Sequence, residues 1–300
     1  MSKFFEALER ADREQVALPP SAPSALPPSA PSAEPPPAPA RVEPPLFDTP
    51  APALATDGSN RVEEHLVSLL APASVEAERY RMLRHVVETL RKDANLQVVA
   101  ITSPGGGDGK TTVAINLAGA LAQSVDSRVL LVDCDLRRPA VGRQLGLGRA
   151  RRSLVDALAR PGLTLDDTVE HLARFNLSVL PAGESAVAPY ELLRSPKVEA
   201  LLEEARRRYD YIVVDTPPFA PVPDGRLISK WVDGFLVVVA AHRTPRQMLA
   251  ETLGLMDPEK VTGLVFNGDD ARPSSYYSYE AVAPRSSFKA LWRWPWRKNA

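Results

Sequence analysis

One cysteine, Cys134, and four histidines are all that this 300-residue chain offers to disulfide or soft-metal chemistry. A single thiol excludes a disulfide framework and fits a reducing compartment. So few cysteines and histidines also argue against a tetrahedral zinc site. No apolar run reaches about 18 residues, so no segment is expected to span a membrane. The N-terminus, MSKFFEALERADREQ, is too charged for a signal peptide. Neither sign of charge dominates: 36 basic against 37 acidic residues leave a net charge of −1. That balance carries no footprint for wholesale binding of nucleic acid, and none is expected as a partner. These absences leave a cytoplasmic protein as the expectation.

Proline is plentiful but unevenly spread. Of the 30 prolines, 14 fall between Leu18 and Pro52, among alanines and serines. Such a stretch cannot bury enough apolar surface to offset its ordering entropy, and it reads as an extended tether. The expected organisation is a short helix over 1–16, on Phe4, Phe5, Leu8 and Ala11 at helical spacing. A disordered linker over 17–58, a folded domain over 59–273 and a tail over 274–300 follow. The helix is either a frayed terminus or a docking peptide for a partner.

The folded part alternates short apolar runs with helical ones. Residues 97–103, 128–134, 177–180, 211–215, 234–240 and 261–266 read as strands. Several are nearly continuous in Val, Ile and Leu, as parallel strands covered on both faces require. Helices are expected over 110–123, 153–159, 190–209, 225–232 and 245–255, with Ser195 and Pro196 able to cap a fresh turn inside the third. The alternation implies an α/β fold with a doubly wound, mostly parallel sheet.

One loop carries the strongest chemical signal. Thr102-Ser-Pro-Gly-Gly-Gly-Asp-Gly-Lys-Thr-Thr112 follows an apolar run and opens a helix. Gly105, Gly106, Gly107, Asp108 and Gly109 let backbone N–H groups turn inward on phosphate oxygens, and the helix that starts with Lys110, Thr111 and Thr112 adds its positive end. Lys110 can reach the β- and γ-phosphates, and the Thr111 hydroxyl can ligate Mg²⁺. The strict pattern wants glycine where Pro104 stands, so the loop is a variant. A Gly-Lys-Thr ending points to a triphosphate rather than a dinucleotide. The lack of an N-K-x-D-like tetrad favours ATP over GTP.

Acids end two of the expected strands. Asp133 and Asp135 follow Val129–Val132, and Asp215 closes Tyr211–Val214. Ligands bind at the carboxyl ends of strands in open α/β sheets. Residues two apart on an extended segment face the same way, so both carboxylates of the first run can point at a nucleotide. Three such acids can hold Mg²⁺, directly or through water, and leave one carboxylate as a base. Cys134, between two of them, reads as a small core residue.

With the run VLLVDCDLRRP, the chain resembles the bacterial tyrosine kinases (BY-kinases), in particular the cytoplasmic autokinases of capsule and exopolysaccharide biosynthesis, from about Arg61 to Tyr279. In that family a Walker A loop, a second Walker A′ motif and a Walker B strand build one site on a P-loop fold shared with the MinD and ParA ATPases. Here they match residues 103–111, 129–137 and 211–215. The resemblance implies that Lys110 and Thr111 bind phosphate and Mg²⁺, that Asp133 and Asp215 support the metal, and that Asp135 activates a tyrosine hydroxyl. It implies ATP as phosphate donor. MinD and ParA ATPases usually carry a signature lysine where this chain has Gly105, which favours the kinases; the alternatives are a MinD/ParA-like ATPase switch and a scaffold that binds nucleotide without chemistry.

Two further motifs fit the same resemblance. Glu78, Arg81 and Arg84 form a helical Glu-x-x-Arg-x-x-Arg, which in the family packs subunits into a ring, a homo-oligomer in which one tail enters its neighbour's site. Tyr80, Leu83, Val87 and Leu90 make the apolar stripe of that helix. Tyr276, Tyr277 and Tyr279 cluster past the last expected strand and are the implied phosphoacceptors. The family also implies a membrane adaptor of the chain-length-determinant type, a peripheral position at the inner face of the cell membrane, and control of exopolysaccharide polymerisation or export. The chain departs from the pattern at Pro104, in its short tyrosine cluster, and in a final stretch with five basic residues and Trp292, Trp294 and Trp296. That stretch suits peripheral contact with a membrane or an anionic partner.

Overall fold

The computed structural model describes residues 61–148, 152–184 and 188–268. The expected N-terminal helix, the proline-rich linker, the tyrosine cluster and the tryptophan-rich tail lie outside the described residues.

Seven strands form one sheet: β1 (Val98–Thr102), β2 (Val129–Asp133), β3 (Glu170–Leu172), β4 (Leu177–Leu180), β5 (Tyr211–Asp215), β6 (Gly234–Ala240) and β7 (Val261–Asn267). Their order is β3-β4-β2-β5-β1-β6-β7. Every pairing is parallel except β3 with β4. The strand β5 lies between β1 and β2, in register so that Asp133 stands opposite Asp215. Strands β1, β2 and β6 are buried along their whole length, which explains their unbroken apolar sequence.

Successive residues of each strand feed opposite cores. Val99, Ile101, Leu131 and Val213 pack against one helical layer, and Val98, Ala100, Leu130 and Ile212 against the other. The first layer holds α1 (Val67–Leu70), α2 (Val75–Ala94) and α3 (Lys110–Ala122). From Val113 to Ala122 every residue of α3 is buried, because the sheet covers one side and α1 and α2 the other. Gly119 permits this closeness: a methyl group there would come within 2.6 Å of the Leu69 side chain. Asn116 staples the layer, accepting from the Ser68 N–H and donating to the His65 and Thr112 carbonyls. Ser74 caps α2, Glu76 and Glu78 sit in its first turn, and Arg91 and Lys92 in its last, matching the helix dipole.

Between β2 and β4 run α4 (Val141–Gln144), α5 (Leu154–Ala159) and α6 (Leu165–Thr168). The helix expected over 190–209 is two helices, α7 (Pro189–Leu193) and α8 (Pro196–Arg208). Ser195 caps the second, and Pro196, lacking an N–H, occupies its first position. Then come α9 (Asp224–Ile228) and α10 (Arg246–Leu255). Among the described residues no helix is long and apolar enough to cross a membrane.

Candidate active site

The loop from Ser103 to Gly109 joins β1 to α3 at the carboxyl rim of the sheet. Gly107 and Gly109 take φ of +84° and +90°, conformations that L side chains rarely adopt. At Gly109 the space is also closed, since a Cβ would fall 2.0 Å from Nδ2 of Asn267. Asp108 turns its carboxylate into the loop's own support. Its Oδ2 accepts the Gly105 N–H at 3.1 Å, its Oδ1 accepts the Thr244 hydroxyl at 3.0 Å, and its carbonyl accepts Nδ2 of Asn267 at 3.0 Å. The loop is therefore braced before any ligand arrives. Neither Thr244 nor Asn267 stands out in the sequence, because each lies more than 130 residues from Asp108.

The acids at the strand ends come together with Lys110. Nζ of Lys110 donates to Oδ2 of Asp135 at 2.8 Å and lies 3.8 Å from Oδ1 of Asp215. The Thr111 hydroxyl donates to Oδ2 of Asp215 at 2.7 Å. Asp215 is fully buried, and its Oδ1 accepts no hydrogen bond. Asp133 behaves differently. Its Oδ1 accepts the Asp135 N–H, and its Oδ2 accepts the N–H groups of Ala140 and Val141. It thus holds the turn after β2 in shape. Arg137 in the same turn grips buried Asp224 of α9 with two hydrogen bonds, of 2.7 and 3.0 Å. Asp224 was not legible as a partner, since 87 residues separate the pair.

Burial dominates the electrostatics. It pushes the Asp215 carboxyl up to about 6 against the pull of Lys110 and Thr111. Burial and the facing Asp215 also raise Asp133 well above the usual carboxylate range. Burial alone would lower Lys110, but the carboxylates of Asp215 and Asp135 reverse the sign and hold its ammonium charged. Cys134 is buried in the core beside the acids, and burial pushes its thiol well up, so it is an inert filler.

Among the described residues no three His, Cys, Asp or Glu side chains are arranged to hold a metal by themselves. Mg²⁺ in nucleotide sites is held by one or two carboxylates together with phosphate oxygens and waters. The free Oδ1 of Asp215 beside the Thr111 hydroxyl fits that demand.

Comparison with known proteins bears on what this constellation does. The family described as AAA domain matches residues 96–224. Over 229 residues the chain is 31% identical to the tyrosine-protein kinase YwqD of Bacillus subtilis (strain 168), covering 76% of this chain and 95% of that one. The chain belongs to the bacterial tyrosine kinases. The kinase is also 33% identical to the succinoglycan biosynthesis transport protein ExoP of Rhizobium meliloti (strain 1021), over 69% of its own length but only 27% of ExoP. It superposes on the kinase domain of the Escherichia coli tyrosine kinase ETK with a TM-score of 0.64, at 28% identity, over 71% of this chain and 84% of that one.

Of the residues singled out in the sequence, Gly105–Thr112, Asp133, Asp135 and Asp215 all meet at one rim of the kinase. Glu78, Arg81 and Arg84 lie in the first half of α2. Arg81 pairs with Glu78 and donates to the Pro72 carbonyl. Arg84 pairs with Glu88 and donates to the Ala120 carbonyl at 2.9 Å, tying α2 to α3. Exposed Val75, Met82 and Val86 follow the same helix. Tyr276, Tyr277 and Tyr279 lie outside the described residues.

Proposed function

We propose that this tyrosine kinase is an ATP- and Mg²⁺-dependent autokinase that phosphorylates its own Tyr276, Tyr277 and Tyr279, in trans between subunits. The observation that carries the reading is the Lys110–Asp135 pair, set beside Asp215 and Thr111 at the mouth of a glycine cradle. Inward N–H groups of the loop, with the amino end of α3, hold the phosphates. Lys110 turns from Asp135 to the phosphate oxygens and offsets their charge. That move frees Oδ2 of Asp135 from its cation, while Oδ1 still accepts the Arg138 N–H that holds the carboxylate in place. Asp135 then accepts the proton of the incoming tyrosine hydroxyl. Thr111 and the free Oδ1 of Asp215 would hold Mg²⁺, with Asp133 supporting them through the turn it organises. Bound there, Mg²⁺ would offset negative charge on the transferring phosphoryl group.

Glu78, Arg81 and Arg84, with the exposed apolar edge of α2, are read as the seam of a ring of subunits. The setting is exopolysaccharide polymerisation or export, supported by the name of ExoP, with a chain-length-determinant-type membrane protein as adaptor at the inner face of the membrane. The test is phosphotyrosine formation by the full chain with Mg-ATP. The Lys110→Met variant is expected to lose the signal and nucleotide binding together. Joint replacement of Tyr276, Tyr277 and Tyr279 by Phe is expected to abolish the signal and spare binding. Phosphotyrosine persisting in the triple variant would move the acceptors elsewhere, and ATP turnover without phosphotyrosine would make the chain an ATPase switch.

A further inference from the structure

The turn between β6 and α10, residues 240–244, is fastened to the phosphate loop more firmly than a surface turn requires. The Ala241 N–H donates to the Asn267 carbonyl at 2.8 Å, and the Ala240 N–H donates to the Thr244 hydroxyl oxygen at 3.0 Å. The Thr244 hydroxyl in turn donates to Asp108, and Asn267 donates to the Asp108 carbonyl. Within this frame His242 is held at φ +61°, a left-handed conformation that a non-glycine residue keeps only when its surroundings enforce it. The forced reversal carries Arg243 over the glycines. Its Nη2 lies 3.5 Å from where a Cβ on Gly107 would be, so the guanidinium rests against the loop at Gly107.

The charge of the site asks for such a group. Lys110 faces three carboxylates and already pairs with Asp135. A polyphosphate adds more negative charge to a pocket with one ammonium. A guanidinium can donate two parallel hydrogen bonds to phosphate oxygens, and it stays charged at any working pH.

We propose that Arg243 is a second phosphate-binding residue, reaching the phosphate chain of the bound nucleotide from beside Gly107, with Thr244 and Asp108 as its positioning residues. This rests on the nucleotide reading of the same loop. It adds a second cation to the phosphate site beside that of Lys110. It also gives Asp108, whose carboxylate accepts from the Gly105 N–H and the Thr244 hydroxyl, a reason to be acidic: the carboxylate fixes the turn that presents the arginine.

The experiment is equilibrium binding of a fluorescent ATP analogue, with and without Mg²⁺, to the full chain and its variants. Arg243→Ala is expected to weaken binding about tenfold, the loss expected of one charge-assisted contact. Arg243→Lys is expected to recover part of that loss. Thr244→Val is expected to fall between wild type and Arg243→Ala, because it releases the turn without removing the charge. The corresponding adenosine analogue, which lacks phosphates, is expected to bind all four proteins equally. Arg243 is exposed, so thermal melting of its variants is expected to match wild type. Equal affinity of wild type and Arg243→Ala for the ATP analogue would overturn the proposal. An equal loss for the adenosine analogue would do so too. Failure of wild type to bind the ATP analogue would remove the phosphate site and the role of Arg243 with it. Binding without phosphotyrosine formation would sink only the kinase reading and leave the Arg243 comparison standing.

Discussion

At the amino ends of the strands, Asp233 accepts the Gln97 and Val98 N–H groups and two hydrogen bonds from Arg206, while Asp210 accepts from both the side chain and the N–H of Arg128. At the carboxyl ends, Asp133 and Asp215 face each other across β2 and β5 with Lys110 as the nearby cation. The same residue type is driven in opposite directions. Burial would raise Asp233, but Arg206 and the two N–H groups hold it below the usual carboxylate range. Arg128 does the same for Asp210. Burial wins at Asp215 and Asp133, which are raised. One rim is electrostatically satisfied and serves the fold. The other is left short of positive charge, as a site that awaits a polyphosphate and its cation must be.

This contrast can be broken most sharply at Asp135. Asp135→Asn is expected to cut phosphotyrosine formation by about 10²–10⁴-fold, the usual worth of a general base. ATP affinity is expected to hold or tighten, because Lys110 is freed from its partner. Parallel measurement of phosphotyrosine and equilibrium ATP binding checks both. Loss of ATP binding in this variant would mean that the carboxylate positions the loop rather than the proton.

The opposite rim is expected to behave in reverse. Arg206→Ala leaves Asp233 half-buried without its cation and is expected to cost roughly 2–3 kcal/mol of unfolding free energy in denaturant titration. ATP affinity is expected to stay unchanged. A loss of ATP affinity without a loss of stability would show the two rims to be coupled.

The smallest effect is on pH. Asp215 sits at about 6, above its ordinary 3.8, so between those values the folded chain holds a proton that the unfolded chain has released. Stability from that proton is fully present below the unfolded value and is lost as pH rises through about 6. The nucleotide-free protein is therefore expected to lose roughly 1–2 kcal/mol between pH 5 and pH 7. Asp215→Asn is expected to flatten the profile. Asp210 and Asp233, being lowered, act with the opposite sign: their stabilisation is present above the unfolded value of 3.8 and is lost as pH falls through their lower folded values. Melting temperature against pH, for wild type and the Asn variant, separates the two rims.

What could be read from sequence was whatever a local pattern encodes. The buried strands announce themselves as apolar runs, and the site acids as the aspartates that end them. Glycines at 107 and 109 mark the two places where the loop needs a positive φ. Ser195-Pro196 marked a break that the structure makes complete. The edge strand β3 was missed, because three residues, Glu170–Leu172, are too few to show an alternation. The four-residue helices α1, α4 and α6 were missed for the same reason. Strand order was out of reach, since nothing local says that β5 slots between β1 and β2. The brace of Asp108, Thr244 and Asn267 was equally hidden, because it joins three segments that only the sheet brings side by side.

That insertion of β5 has a bearing on biosynthesis. The two aspartates that face each other are 82 residues apart in the chain, and the later one arrives on the strand that fills the gap between the first two strands. A growing polypeptide that has released the glycine loop but not residue 215 has a strand-wide opening at its middle and two of its three site acids. The facing pair of aspartates is thus completed only when the central ribbon is seated, and the brace of the glycine loop only later still, when Thr244 and Asn267 follow.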